Sequence, residues 1–170
     1  IASILGLSLG TIAALIKKQQ TTLFLLLVTI LGISVPSFLA GLLLQQAGTR
    51  YFQENGVQLV KMAGFGWDYR YMLMPVLVLV ARPLAYLTRA SFLAFNRVME
   101  ENYIRTAHSK GLRSRRVVFQ HALRNIAIPI LTAIGVSLRF SLSTLPVVEL
   151  FFAWPGIGLR LLEAINAPQT

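Results

Sequence analysis

The two histidines of this 170-residue chain, His108 and His121, lie in one strongly basic stretch, residues 101–125. Imidazole nitrogens bind metals and relay protons, so this stretch is the first candidate for chemistry. A metal site would need carboxylates or thiolates nearby, but no carboxylates cluster there and the chain has no Cys. A membrane-embedded enzyme using these histidines or Glu149 would need converging polar residues, and only isolated ones are present. We therefore interpret both histidines as basic loop residues, and we predict no catalytic residues and no metal site.

Three other ionisable residues, Arg82, Arg139 and Glu149, lie within long apolar segments. A charge in such a segment is costly unless it faces a cavity, a partner helix or an opposite charge. We consider all three candidates for a solute pathway or an inter-helix contact. Local pairing of Arg139 with Glu149, or snorkelling of a tilted helix, would also explain the charges.

The apolar segments themselves indicate a membrane protein. The chain is 55% hydrophobic and 13% charged, with a mean hydropathy of +0.66, which is too apolar for an ordinary soluble domain. A helix needs roughly 20 apolar residues to cross a bilayer. The segments that satisfy or approach this length are residues 1–16, 22–45, 71–92 and 126–150. We predict an all-α fold, a polytopic transmembrane helical bundle forming one membrane domain over residues 1–170.

The second of these spans contains a proline between two serines. Proline removes a backbone donor and bends a helix, which frees a carbonyl group. Ser34, Pro36 and Ser37 are therefore candidates for lining a pathway, and a kink packed against a neighbouring helix is an equally good explanation.

The placement of Lys and Arg predicts the orientation of the spans, because short loops rich in these residues stay on the cytoplasmic side. Lys17 and Lys18 follow the first span, and residues 93–124, counted with Arg89 at their edge, hold eight Lys and Arg. The loop between the second and third spans, residues 47–70, holds three. Both basic loops are thus predicted to be cytoplasmic. The net charge of +10 follows this topology, and we predict no nucleic-acid partner because the basic residues lie between spans.

The basic stretch has the periodicity of two short helices around Gly111. Tyr103, Ile104 and Ala107 recur at helical spacing before the glycine, and apolar residues from 117 to 126 do so after it. Gly111 is predicted to end the first helix and Ser114 to cap the second. The first helix either lies on anionic lipid or docks on a cytoplasmic protein. Docking in a groove would use small residues, here Thr106, Ala107, Ser109 and Gly111.

The stretch YIRTAHSKGLRSRRVVFQHALRNIAIPILT, residues 103–132, resembles the cytoplasmic loop of permease subunits of ABC importers. Its RTA, KG and HALRN elements are those of the dipeptide, oligopeptide and nickel class. Other parts of that class are similar to ILGISVPSFLAGLLL (30–44), PLAYLTRASFLA (83–94) and VVELFFAWPGIG (147–158). By this resemblance the chain is a fragment that covers spans two to five of such a permease.

The resemblance implies a cytoplasmic coupling helix that ends at Gly111 and contacts a separate ATPase. The residues it assigns to this contact are Tyr103, Arg105, Thr106, Ala107, Lys110 and Gly111. It also implies that ATP and Mg are bound by the ATPase and that no cofactor is bound by this chain, which lacks a Walker A pattern. After residue 150, Trp154, Pro155, Gly156 and Gly158 are expected to form a turn on the outer side.

The partners implied are a second permease subunit, homologous or identical, cytoplasmic ATPase subunits, an extracytoplasmic solute-binding protein and the lipid bilayer. The location implied is the cytoplasmic (inner) membrane of a bacterium or archaeon. The function implied is ATP-driven import of peptides or a related solute, with this chain forming half of the pathway. The alternative is a secondary transporter or channel subunit without an ATPase, which would show internal repeats.

Overall fold

A computed structural model of the chain describes residues 1–16 and 19–166, and these residues contain helices and no β-strand. The helices, in chain order, are α1 (Ala2–Ile16), α2 (Gln19–Ser34), α3 (Ser37–Asn55), α4 (Tyr69–Met99), α5 (Asn102–Ser109), α6 (Ser114–Arg116), a π-helix (Val117–Ala122), α7 (Leu123–Phe151) and α8 (Ile157–Asn166). The predicted all-α membrane fold is thereby confirmed.

Two helical stretches, Tyr69–Met99 and Val117–Phe151, are long and apolar enough to cross a membrane. The predicted spans 71–92 and 126–150 lie inside them. The predicted span 22–45 is divided between α2 and α3, which form a third span if the broken pair counts as one. The break occurs because Pro36 takes extended backbone angles, φ −61° and ψ 141°, immediately before α3. Lys17 and Lys18, on which the predicted orientation partly rests, lie outside the described residues.

The sequence predicted one membrane domain, and the contacts of the chain form two compact units. Unit 1 comprises Ile1–Gly32 and Pro83–Leu138, and unit 2 comprises Ile33–Arg82 and Arg139–Thr170.

In unit 1, α1 packs directly against the second half of α4. Gly6 and Gly10 make this possible, because a Cβ atom at either position would collide with the backbone or Cβ atoms of α4. The hydroxyl groups of Thr11 and Ser91 are 3.1 Å apart, and Ser91 also donates to the Leu7 carbonyl at 3.2 Å. Close backbone approach and hydroxyl hydrogen bonds thus join two apolar helices that gain little from hydrophobic burial in lipid.

In unit 2, the core lies between the first half of α4 and the end of α7. Met74 and Val78 pack with Val148 and Phe152, all of them buried. The backbone N–H of Gly64 donates to the Phe152 carbonyl at 2.9 Å, which attaches the loop after α3 to this core. Beside the core is an apolar cavity of about 180 Å³, whose lining residues are Met72, Pro75, Val76, Leu79, Leu145, Val148, Glu149 and Trp154.

Candidate functional site

Helix α5 is a single short helix set between the two long spans, and it belongs to unit 1. Its N-cap residue, Glu101, has extended backbone angles and makes no side-chain capping hydrogen bond. The helix ends at Ser109, and the chain then turns through Gly111 at φ 75°, a left-handed angle that favours glycine. The Gly111 N–H donates to the His108 carbonyl at 2.9 Å, and the Leu112 N–H donates to the Ala107 carbonyl at 3.3 Å. Gly111 therefore ends the helix as the sequence predicted.

The inner face of α5 fixes the helix to the body of unit 1. Ile104 is 1% exposed and Ala107 is 6% exposed. They belong to a core cluster with Phe95 of α4, Val117 of the π-helix and other residues that are also buried. The orientation of α5 is thus set by packing within the chain.

Tyr103, Arg105, Thr106 and Lys110 are all exposed, and we define them as the exposed face of α5, with Lys110 as its C-cap residue. It carries two positive charges and one aromatic ring, and Gly111 is exposed beside it. Four of the residues assigned to the ATPase contact by the resemblance are thus accessible on this short helix or at its end. Ala107 does not, because its methyl group is packed into the core, and its predicted place at the contact does not agree with the structure.

The helix after Gly111 begins differently from the prediction. Ser114 is the first residue of α6, and the N-cap position is occupied by Arg113, which makes no side-chain capping bond. Directly after α6, the six residues Val117–Ala122 form a π-helix, and the chain then continues as α7. Of the residues on the predicted apolar face, Val117 and Ala122 are fully buried as expected, whereas Phe119 is 68% exposed. The wider π turn explains the difference, because it breaks the 3.6-residue periodicity on which the prediction depends.

The phenol of Tyr103 is the one group in this site with a clear electrostatic perturbation. Tyr103 is 39% exposed, and the partial burial of its phenol, and secondly the negative charge of Glu101, raise its pKa above the usual value, while a hydrogen bond with Asn125 lowers it. Tyr103 is therefore a neutral hydrogen-bonding and stacking group at physiological pH. The charge of the exposed face comes from Arg105 and Lys110.

The histidines do not form a metal site in the part of the chain that the structure describes. His108 is exposed on α5 and His121 is half-buried in the π-helix. Among the described residues, no group of three or more metal-binding side chains converges anywhere.

The candidate pathway residues Ser34, Pro36 and Ser37 lie at the break between α2 and α3. Ser34 and Pro36 are exposed, and Ser37 is half-buried. The Pro36 carbonyl accepts the Ala40 N–H at 3.0 Å, which closes the first turn of α3. Their role in a pathway remains a prediction.

Arg82 and Arg139 belong to unit 2 and have different environments. Arg82 is half-buried, and its guanidinium carbon lies 4.9 Å from the centre of the Phe140 ring, a cation–π contact. Its Nε atom is buried and has no hydrogen-bond acceptor among the described residues. Arg139, the residue before Phe140, is exposed. No sequence pattern distinguishes Phe140, because an aromatic residue in an apolar span is ordinary.

Glu149 makes a contact that the sequence did not predict. Its side chain is 6% exposed, and its Oε2 atom accepts the backbone N–H of Leu159 at 2.7 Å. Leu159 lies in the first turn of α8, so the carboxylate satisfies one of the free N–H groups at that helix start. Gly156 is required beside it, because a Cβ atom there would collide with the carboxyl group. Glu149 thus joins the end of α7 to the start of α8.

The suggested pairing of Arg139 with Glu149 is wrong. No ion pair joins them in the described part of the chain, where the ion pair observed is Arg160 with Glu163 at 3.8 Å. The reason is helix geometry, because ten residues of α7 separate the two groups by about 15 Å along the axis.

The turn between α7 and α8 is ordered by aromatic packing. The Trp154 ring packs edge-on against Phe65, with the ring centres 5.1 Å apart. Ala153 has φ 52°, and the Gly156 N–H donates to the Trp154 carbonyl at 2.9 Å. The predicted turn at residues 154–158 is therefore present, and its packing onto the loop after α3 is a feature that sequence reasoning missed.

Comparison with known proteins gives consistent relatives along nearly the whole chain. Residues 6–170 match the family described as "Binding-protein-dependent transport system inner membrane component". The glutathione transport system permease protein GsiC of Escherichia coli (strain K12) is 36% identical over 169 residues, which cover 97% of this chain and 52% of that protein. The dipeptide transport system permease protein DppB of Bacillus subtilis (strain 168) is 34% identical over 167 residues, which cover 98% and 52%.

A second dipeptide transport system permease protein DppB, from Haemophilus influenzae (strain ATCC 51907 / DSM 11121 / KW20 / Rd), is 34% identical over 183 residues, which cover 95% of this chain and 55% of that protein. The chain thus spans about half the length of the curated relatives it matches. These matches confirm the resemblance seen in residues 103–132 and the predicted inner-membrane location.

Proposed function

Because the chain belongs to the family of binding-protein-dependent transport system inner membrane components, we propose that it forms the membrane-spanning part of a permease subunit in an ATP-driven importer. The observation that carries this proposal is α5. It is an amphipathic helix between two span-length helices, anchored inward by Ile104 and Ala107 and presenting Arg105 and Lys110 outward. A lipid-bound helix would direct its apolar side chains outward into the bilayer, whereas α5 directs them into the protein core.

In the proposed mechanism, α5 transmits closure of a separate ATPase to the long helices. The ATPase binds ATP and Mg, and this chain binds neither. Because Ile104 and Ala107 pack against α4, the π-helix and α7, a displacement of α5 moves the spans with it. ATP on one side of the membrane and a loaded solute-binding protein on the other then shift the balance between inward-facing and outward-facing states.

The remaining partners and the solute follow from the same proposal. The pathway forms between this permease and a second, homologous or identical, permease subunit. Because the relatives are named as glutathione and dipeptide permeases, we propose that the solute is a peptide or a related molecule. An extracytoplasmic solute-binding protein delivers it.

The test uses the complete permease, co-expressed and co-purified with its ATPase. The variants Arg105→Glu and Lys110→Glu each reverse one charge on the exposed face of α5. Arg124→Glu is the matched control, because Arg124 is also exposed and changes the net charge equally but lies in α7. Reversing a charge that faces a complementary partner weakens association by about tenfold or more.

We expect both α5 variants to lose ATPase association while they insert in the membrane and elute as monodisperse protein. The control should retain association. If all three variants bind the ATPase equally well, α5 is not the coupling element and the alternative, a secondary transporter or channel without an ATPase, is favoured.

A further inference from the structure

Arg82 and Arg139 place two positive charges deep in the apolar helices of unit 2. Arg82 lies 13 residues after the start of α4 at Tyr69, and Arg139 lies 12 residues before the end of α7 at Phe151. At roughly 1.5 Å per residue these separations are about 20 Å and about 18 Å. Since the hydrocarbon core of a bilayer is about 30 Å thick, both charges lie far from the headgroups at that end of the helices.

The Arg82 side chain is held at this depth by the protein. Its guanidinium group lies on the Phe140 ring at 4.9 Å, and its buried Nε atom has no hydrogen-bond acceptor among residues 1–16 and 19–166. A snorkelling arginine would instead extend its polar end toward the membrane surface. Arg82 is thus held in place with an Nε donor that lacks an acceptor among the described residues, and the ring that it contacts, Phe140, directly follows Arg139 in α7.

In the part of the chain that the structure describes, neither arginine has an acidic partner. The chain's six acidic residues are Glu54, Asp68, Glu100, Glu101, Glu149 and Glu163. None is within 4.0 Å of the Arg82 or Arg139 guanidinium group in the described structure. Glu149, the acidic residue on α7, is hydrogen-bonded to the Leu159 N–H. Because an unpaired charge in an apolar span is strongly disfavoured, these arginines require an anion from outside the chain.

The position of Arg82 favours a small anion over a side chain of another protein. Pro75 and Leu79 line the apolar cavity of about 180 Å³ in unit 2, and Arg82 follows Pro75 by seven residues. Residues seven apart lie on the same face of a helix, so the face of α4 that lines the cavity continues to Arg82. A carboxylate on a partner helix could approach the exposed Arg139, but the buried Nε of Arg82 calls for a group that enters the chain itself.

We propose that Arg82 and Arg139 form a carboxylate-binding site in the translocation pathway, and that this site selects solutes with a free carboxylate. The planar guanidinium fork matches a carboxylate with two parallel hydrogen bonds. The Phe140 ring holds the Arg82 group in place before the solute arrives, which lowers the ordering cost of binding. The inference rests on the proposed function, since it requires that this chain line the path of a peptide-like solute.

The test is uptake by the complete importer in proteoliposomes with ATP. The probes are matched pairs of short peptides, each with a free C-terminal carboxylate or a C-terminal amide, and glutathione. The variants are Arg139→Gln, Arg82→Gln and the conservative Arg82→Lys, which keeps the charge if the Gln variant fails to fold. Leu142→Gln is the control, because Leu142 is 68% exposed on the same helix and receives a polar group without removing a charge.

The readout is the ratio of acid uptake to amide uptake, compared between each variant and the unmodified importer. Any preference of the solute-binding protein itself for acid over amide peptides is the same for the variant and the unmodified importer, so it cancels when the two uptake ratios are compared. A hydrogen bond between charged groups contributes substantially to binding free energy. We therefore expect the uptake ratio to fall about tenfold to a hundredfold in Arg82→Gln and Arg139→Gln. It should fall less in Arg82→Lys and stay unchanged in Leu142→Gln.

Three results would overturn the inference, each in a distinguishable way. If acid and amide uptake fall together in the arginine variants, the arginines do not read the carboxylate. If the arginine variants cause the two permease subunits to dissociate on size-exclusion chromatography, the arginines pair with a carboxylate of the partner subunit and do not bind the solute. If the unmodified importer moves no peptide with ATP, the proposed function itself fails and the carboxylate site fails with it.

Discussion

The buried contact between Glu149 and Leu159 predicts a strong energetic coupling between Glu149 and Gly156. The Glu149 carboxylate accepts the Leu159 N–H at 2.7 Å and is 6% exposed. A hydrogen bond to a charged group is worth about 1.5–3 kcal/mol, and a negative charge at a helix start adds about 0.3–1 kcal/mol. We therefore expect Glu149→Ala to lower the free energy of unfolding by about 2–4 kcal/mol. Glu149→Gln keeps an acceptor oxygen and should cost less.

Gly156→Ala perturbs the same contact from the other side. Its new Cβ atom would collide with the Glu149 carboxyl group, so the carboxyl group must leave its position and lose the hydrogen bond. In the Glu149→Ala background the methyl group enters vacated space, and the second substitution should cost little. The double variant should then be more stable than the sum of the single effects by about 2 kcal/mol.

The assay is thermal unfolding of the complete permease, followed by loss of the monodisperse peak on size-exclusion chromatography after heating. A coupling of about 2 kcal/mol corresponds to about 4–8 °C in Tm for a chain of about 150–250 residues and to less for a longer permease. Gly135→Ala is the control, because a Cβ atom at Gly135 would meet nothing within 4 Å. Additive losses from Glu149→Ala and Gly156→Ala would refute the proposed link between α7 and α8.

Further predictions concern unit 1. Gly10→Ala should separate α1 from α4 and lower the Tm by several degrees, whereas Gly135→Ala should be neutral or slightly stabilising, because alanine is the better helix former by about 0.5–1 kcal/mol. Gly111→Ala should cost about 1–2 kcal/mol in unfolding assays because of the left-handed φ of 75°, and Gly111→Asn should cost less. Since burial raises the pKa of Tyr103, its neutral form contributes stability below the ordinary pKa of about 10, and that stability is lost as the pH rises through the folded value. Tyr103→Phe should remove this alkaline step, measured by Tm against pH; an unchanged step would contradict the assignment.

The two long spans could be found from the sequence, but their ends could not. Hydropathy marks the part of a helix that lipid surrounds, and a helix continues beyond the bilayer wherever its residues permit. Helix α4 runs to Met99, past the predicted limit at residue 92, and includes Arg97 in its last turn. The break at Pro36 was within reach of sequence reasoning, because proline fixes its own backbone angle and restricts the residue before it.

Side-chain partners in the spans were beyond the sequence for a different reason. Arg82 with Phe140 and Glu149 with Leu159 each join residues from different helices or from the two sides of a turn. A lone charge in an apolar segment indicates that some partner is needed, and it does not identify the partner. Pairing opposite charges on one helix requires a separation of three or four residues, a condition that Arg139 and Glu149 do not meet.

Helix α5 shows that a small residue can serve the chain's own core as well as a predicted partner contact. Because small residues allow close approach, the sequence predicts Ala107 at the partner contact. The same property suits Ala107 to the chain's own core, where α5 lies close to α4 and the π-helix. Once Ile104 and Ala107 face inward, helical periodicity directs Arg105 and Lys110 outward, so a partner must meet a basic, hydrogen-bonding surface. The groove that receives α5 should therefore carry acidic side chains, and a substitution there that reverses the charge should restore binding to Arg105→Glu or Lys110→Glu.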